Sequence, residues 1–183
     1  MELKLIINEC KQQRLTAQKC LFDLFATQMF LLCKRYLKNT EVAEEVLMNG
    51  FVQVYKSLHK FNYADDASTI SWIKKIMVNE CLQELRKKQS FLTVAANAIE
   101  DKTIDNTVFE KISTEEIYQL IAQLPTGYRT VFNLFEIEGY SHKEIASNLK
   151  ISEGTSKSQL SRAKQMLQDF IIKNNQVYAT KSN

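Results

Sequence analysis

One proline, Pro125, and four glycines are all that interrupt 183 residues. A chain this poor in turn formers cannot be assembled from many short strands joined by hairpins, so it has to be built of helices. The apolar pattern agrees. Leu21, Phe25, Met29, Leu32 and Tyr36 recur at helical spacing across residues 16–38. Asn39-Thr40 interrupts the run, and Thr40 is the expected N-cap of a second helix. Glu41, Glu44 and Glu45 occupy its first turns, where the helix dipole favours negative charge. This helix runs to about Leu58 with Val42, Val46, Phe51, Val54 and Leu58 facing inward. Gly50 in its middle costs about 1 kcal/mol of helix propensity and implies a close neighbour.

Residues 59–69, HKFNYADDAST, carry no helical stripe and read as a loop. A third helix is expected from about Ser68 to Lys88, with Trp72, Ile73, Ile76, Met77 and Leu85 for the core. Lys74, Lys75 and the run Arg86-Lys87-Lys88 mark its polar side. Three such helices make one small bundle, here residues 1–89. Residues 90–112 are polar, of mixed charge and weakly periodic, and read as a flexible linker.

Helical signals return at Ser113, which with Glu116 fits a capping box, ahead of the stripe Ile117, Leu120, Ile121 and Leu124. After Pro125 comes a helix with Val131, Phe132, Leu134 and Phe135, stopped by Gly139 as C-cap. A second capping box, Ser141 with Glu144, opens a short helix carrying Ile145, Ala146 and Leu149. A turn at Lys150-Ile151 follows, and Ser152 caps a last helix through Leu160, Ala163, Leu167 and Phe170. The second domain is thus expected over 113–173, with a frayed tail over 174–183. The fold class is all-α: two small helical domains, the second of helix-turn-helix type.

Composition limits the functions open to such a chain. With 45% hydrophobic and 25% charged residues there is material for cores and for a solvated surface. A net charge of +3 allows nucleic-acid binding only through local basic patches. Cys10, Cys20, Cys33 and Cys81 form no CxxC pair, and His59 and His142 lie far apart, so metal-ligand spacing is absent. The thiols read as buried apolar groups in a reducing compartment. The first residues break into charge too soon for a leader peptide, and no run approaches a membrane span, so a cytoplasmic location is expected. No triad, phosphate loop or metal cluster suggests an enzyme, and no cofactor is expected.

Residues 141–167 say most about function. Two capped helices joined by a tight turn are the helix-turn-helix pattern. If Ile145, Ala146, Leu149, Ile151, Leu160 and Ala163 pack the pair together, Thr155, Lys157, Ser158, Ser161, Arg162 and Lys164 lie on or near the outer side of the second helix. Hydroxyls interspersed with long cations suit a major groove, where they reach phosphates and base edges. An ordinary helical hairpin with a solvated cationic face has the same pattern, and geometry alone leaves both open.

The stretch SHKEIASNLKISEGTSKSQLSRAKQML resembles the promoter-binding C-terminal domain of extracytoplasmic-function sigma factors of the sigma-70 family. LIAQLPTGYRTVFNLFEIEGY before it resembles that domain's leading helices, including a Leu-Pro boundary at Leu124-Pro125. AEEVLMNGFVQVYKSLHKF and ISWIKKIMVNECLQELRKK resemble the family's N-terminal domain. The resemblance covers roughly residues 5–172, in the family's order.

The resemblance implies core RNA polymerase and promoter DNA as partners, an anti-sigma factor as a further one, and a free monomer. It places Glu41, Glu44, Glu45, Met48 and Asn49 against the polymerase clamp. A loop at His59–Ile70 would read the melted minus-ten element through Phe61, Asn62 and Tyr63. Lys74, Lys75, Asn79, Arg86, Lys87 and Lys88 would hold the strand there, with Trp72 a core residue rather than a base wedge. Lys157, Ser158, Ser161 and Arg162, with Thr155, would enter the groove of the minus-thirty-five element. Tyr140, Ser141, His142 and Lys143 would approach its backbone.

Some positions depart from the family's pattern. Met48-Asn49 stand where a Gln-Glu pair is usual, Ser156 where Val is common, and Gln159 where a basic residue is frequent. Two rival readings follow: a helix-turn-helix regulator that does not touch polymerase, and a sigma-like adaptor that has lost promoter opening.

Overall fold

The computed structural model describes residues 2–87 and 114–181, with side chains described for 2–87 and 116–173. Its described elements are all helical, without a strand among them, and the chain divides into two compact units, Met1–Lys88 and Gln89–Asn183. The expected linker, Lys88 and the Ser113 cap lie outside the described residues.

The first unit contains α1 (Leu3–Lys11), α2 (Leu15–Tyr36), α3 (Thr40–Ser57), a 3-10 turn (Leu58–Lys60) and α4 (Asp66–Lys87). It therefore has four α-helices, not three. α1 buries Leu3, Ile6, Ile7 and Cys10, which lie three, four and seven residues along from Leu3 and so form one stripe, and packs on α2. Between them Gln13 takes a left-handed conformation, φ 59°, that closes a tight turn. The centre of the bundle is Leu21, Met29, Tyr36, Phe51, Ile73 and Met77, all 1% exposed or less.

Two helix starts differ from expectation. The N-cap of α3 is Asn39, whose Oδ1 accepts from Val42 N at 2.8 Å. Thr40 is the first helical residue, and its Oγ1 accepts from Lys34 Nζ instead. α4 begins two residues before Ser68, because Asp65 acts as its cap: Asp65 Oδ1 accepts from Ser68 N at 2.6 Å. That bond first, then hydrogen bonds from the Ser68 hydroxyl and the Ala67 backbone, hold the Asp65 carboxyl below its ordinary range. The expected loop is thereby reduced to residues 61–65.

Gly50 sits where α3 meets α4. A Cβ there would fall on Met77 Sδ, and 2.9 Å from its Cε, so the close neighbour expected for Gly50 is Met77. Cys10, Cys33 and Cys81 are buried, Cys20 is half-buried, and all are free thiols. Burial, more than the neighbouring Cys20 and Glu9, pushes the Cys10 thiol up to about 11. No group of metal-ligating side chains and no helix apolar enough to cross a membrane occurs among the described residues.

The second unit contains α5 (Thr114–Gln123), α6 (Thr126–Phe132), α7 (His142–Leu149) and α8 (Glu153–Lys181). α8 continues past Lys173, where a frayed tail was expected. Its core gathers Leu120, Ile121, Leu124, Tyr128, Ala163, Leu167 and Ile171, with Phe170 only partly covered. α6 does not end as an ordinary helix. It widens into a π turn, Asn133–Ile137, before Gly139 at φ 75° ends it as the sequence predicts. Arg129 is buried, and its Nη1 donates to the carbonyls of Leu124 (2.9 Å) and Ala122 (3.5 Å). It thus satisfies carbonyls at the end of α5 that the break at Pro125 would leave without partners. Burial draws its pKa down to about 10.

Candidate nucleic-acid interface

α4 carries four cations of the first unit, Lys74, Lys75, Arg86 and Lys87. Trp72, Lys75, Asn79, Gln83 and Arg86 stand three or four residues apart and so share one face. All except Trp72 are exposed. Lys87 is exposed too and pairs with Glu84 at 3.3 Å, whereas Lys74 lies a quarter-turn away and is half-buried.

Beside this face runs the 61–65 segment, and its aromatics are already engaged. Phe61 stacks on Trp72 with centroids 4.2 Å apart and planes 21° apart. Trp72 is therefore half-buried at the surface, not the core residue expected. Tyr63 Oη donates to Asp66 Oδ1 at 2.6 Å, a bond that, ahead of all other causes, pushes the phenol up to about 12. Lys4 of α1 lies 6.0 Å from the Tyr63 ring centroid, and α1 also packs against the 3-10 turn. The helix missing from the sequence reading thus braces this segment. Asn62, between the anchored rings, is exposed.

α3 carries another surface. Glu41, Glu44, Glu45, Met48 and Asn49 are all exposed. Met48, 55% exposed, and Val52, 45% exposed, continue the row in apolar form. They edge a shallow groove against α2, lined also by Leu15, Phe22, Phe51 and Tyr55. Desolvation raises Tyr55 to about 12, and its hydroxyl donates to the Gln18 carbonyl at 2.9 Å. The strip is acidic at its start and apolar further on.

In the second unit α7 and α8 form the expected helix-turn-helix. The Ser141–Glu144 capping box is complete, with Ser141 N donating to Glu144 Oε2 at 2.8 Å. Lys150 ends α7 in the left-handed region at φ 56°. Ser152 Oγ accepts from Thr155 N at 2.9 Å and so caps α8. Ile145, Leu149, Leu160 and Ala163 are buried; Ala146 and Ile151 are half-buried.

The outward face is less uniform than its sequence suggests. Lys157 is exposed, while Thr155, Ser158, Ser161 and Arg162 are half-buried. Arg162 Nη1 lies 3.4 Å from Tyr128 Oη, and Ser158 Oγ donates to the Thr155 carbonyl. Lys164, expected on the outer side, is instead paired with Glu136 of the π turn at 2.7 Å. Gln159 is 6% exposed, so this side chain lies in the protein and not on the outward face.

Ser156, which stands where the family commonly has Val, is fully buried with its Oγ 2.9 Å from His142 Nδ1. The His142 ring stacks on Phe135, with 4.4 Å between centroids. Burial, and then the nearby Lys157, hold its pKa below the ordinary value. Ser141 and Lys143 are exposed, and Tyr140 is half-buried with its phenol raised mainly by burial.

The chain matches two family models, sigma-70 region 2 over residues 21–91 and sigma-70 region 4 over residues 114–167. It is 27% identical over 180 residues to the ECF RNA polymerase sigma factor SigW of Bacillus subtilis, covering 91% of this chain and 95% of that one. Over 147 residues it is 26% identical to the ECF RNA polymerase sigma factor SigM of Mycobacterium tuberculosis, covering 80% and 73%. Its fold is shared with the sigma factor RpoE of Bartonella quintana, solved in complex with the anti-sigma factor NepR. That match has a TM-score of 0.50 and 19% identity over 85% of this chain and 96% of the other.

Proposed function

The chain belongs to the sigma-70 family, in its extracytoplasmic-function group, whose members initiate promoter-specific transcription, and from this premise we propose how its own residues divide the work. Residues 1–89 form the unit that binds polymerase and opens the minus-ten element. Residues 113–173 form the unit that reads the minus-thirty-five element. The observation that carries this reading is that both sigma regions stand in order on one chain, each with exposed cationic side chains on one helix: Lys75 and Arg86 on α4, Lys157 on α8.

At the minus-ten element, Asn62 is the residue of the 61–65 segment most open to a base edge. The Phe61–Trp72 stack offers a preformed aromatic surface beside it. A base leaving the duplex gives up a few kcal/mol of stacking, and stacking on an aromatic side chain returns roughly 1–3 kcal/mol. The two nearly balance, so phosphate contacts from Lys75, Arg86, Lys87 and Lys88, with Lys74 at the edge, tip the equilibrium toward the open strand.

At the minus-thirty-five element Lys157 meets phosphate, while Thr155, Ser158, Ser161 and Arg162 lie along the groove. Ser141, His142 and Lys143 stand at the start of α7, near the backbone.

The α3 strip of Glu41, Glu44, Glu45, Met48 and Asn49 docks on the polymerase clamp. Its acidic end suits a basic partner, and Met48 supplies apolar contact. An anti-sigma factor is a further partner, a class of protein that the B. quintana relative is seen bound to. The protein acts in the cytoplasm, as a monomer when free, without a cofactor and without catalysis of its own.

The test is run-off transcription with core polymerase. Transcripts starting at defined sites in the presence of this chain support the reading. Failure to bind core polymerase refutes it and favours an independent helix-turn-helix regulator. Binding without transcripts favours the sigma-like adaptor, for which the exposed Met48-Asn49 pair is the specific observation.

A further inference from the structure

We propose that His142 is a positioning residue that fixes the rotational setting of the recognition helix α8, and with it the base preference of the second unit. The inference rests on the groove-reading role proposed for α8. His142 is the first residue of α7, yet its ring touches two other elements. One face stacks on Phe135 of the π turn, at 4.4 Å and 23°. Its Nδ1 lies 2.9 Å from the hydroxyl of Ser156, on the first turns of α8.

Ser156 is fully buried, so its hydroxyl has to find its partner inside the protein. Held below its ordinary pKa by burial and by Lys157, the imidazole stays neutral near pH 7 and can accept that hydroxyl's proton in a hydrogen bond. One side chain thus ties α7, the π turn and α8 together at the point where α8 meets DNA.

The groove-side residues Thr155 and Lys157 flank Ser156 directly, and Ser158 follows. A helix with its side chains is about 10–12 Å across, so a rotation of about 20° moves a side-chain tip by about 2 Å. That is enough to lose a hydrogen bond to a base edge. Ser156 is the fixed point of this rotation, and His142 holds it.

The experiment uses the full chain with core polymerase on duplex templates randomised across the minus-thirty-five region, and sequences the transcripts. His142→Phe keeps an aromatic ring against Phe135 but has no group for Ser156. Discrimination should fall by about fivefold or more at one or more base positions, the scale of one lost base contact. His142→Asn places a polar atom where Nδ1 stands and should keep the wild-type preference. Ser156→Val alone should shift the preference, and the double variant His142→Phe/Ser156→Val should regain most of it, since removing both partners leaves nothing unsatisfied.

Thermal unfolding of each variant separates lost stability from altered preference. A reduced midpoint with an unchanged base profile in His142→Phe overturns the inference, as does a double variant no better than its parents. If wild type itself shows no preferred sequence, the promoter-reading role falls and this inference falls with it.

Discussion

Replacing Gly50 with alanine sets two effects against each other. In a helix interior alanine is favoured over glycine by about 1 kcal/mol. The added Cβ, however, falls on Met77 Sδ and 2.9 Å from Cε. Met77 is flexible but wholly buried, so moving it displaces its neighbours. Overpacking of this kind costs roughly 1–3 kcal/mol, and the net expectation is a destabilisation of about 1 kcal/mol. In a Met77→Ala background the same change meets a cavity instead. That background is itself less stable by roughly 2–5 kcal/mol, but within it Gly50→Ala should now stabilise, by about 1 kcal/mol. The two backgrounds thus differ by about 2 kcal/mol, well above the error of a double-mutant cycle.

Urea unfolding is the assay, and the molecule supplies its own reporter. Trp72 is the single tryptophan of the chain and lies in the first unit, so its emission follows that unit alone. Equal effects of Gly50→Ala in both backgrounds would show that α3 and α4 do not approach each other through this contact. A stabilising effect in the wild-type background would show the same.

Asn39→Ala should cost the first unit about 1 kcal/mol and Thr40→Ala much less, because Asn39 caps α3; Trp72 emission in urea compares them. Lys157→Ala should reduce the slope of log affinity against log salt by about 1 for promoter binding by the polymerase complex. Lys164→Ala should leave that slope nearly unchanged, because Lys164 is held by Glu136. His142 has a folded pKa below its ordinary value, so the unfolded chain takes up the proton first. Stability of the second unit should be level above about pH 7.5 and decline as pH falls through about 6.5. Amide exchange at Leu149 across that range checks this, and a decline of equal size in His142→Asn would refute it.

Patterns that repeat along one helix were the easiest to read in the sequence. The stripe in α2, the Ser141–Glu144 box, the Ser152 cap and the stop at Gly139 all depend on residues a few positions apart, where helix geometry is the only rule needed; Gly50 announced a close neighbour but not that it would be Met77 of another helix. α1 has the same kind of stripe in Leu3, Ile6, Ile7 and Cys10, but no side chain caps its start, and its charges invite only the question of a leader peptide. At Asn39-Thr40 and at Asp65–Ser68 two competent caps compete, and the winner depends on where the preceding chain enters. Lys34 helps decide the first case by engaging Thr40.

Contacts between distant positions left little local trace. Nothing near Trp72 says that Phe61 will cover it, and nothing near Lys164 names Glu136. Arg129 looks like a surface cation until the break at Pro125 leaves carbonyls for it to fill. The residues proposed to face DNA share this limit: their order along α4 and α8 was readable, but their degree of exposure is set by partners elsewhere in the chain.

A π turn is a helix holding one residue more than its geometry wants. Between Asn133 and Ile137 that surplus decides which way Phe135 and Glu136 point, one toward His142 and the other toward Lys164. Each residue of a helix advances it by about 100°. Deleting one of the other three, Asn133, Leu134 or Ile137, would relax the segment to ordinary α-helix and shift both side chains relative to their partners at once. Here the number of residues carries information that their identity does not, and shortening by one should be tolerated less well than many exchanges.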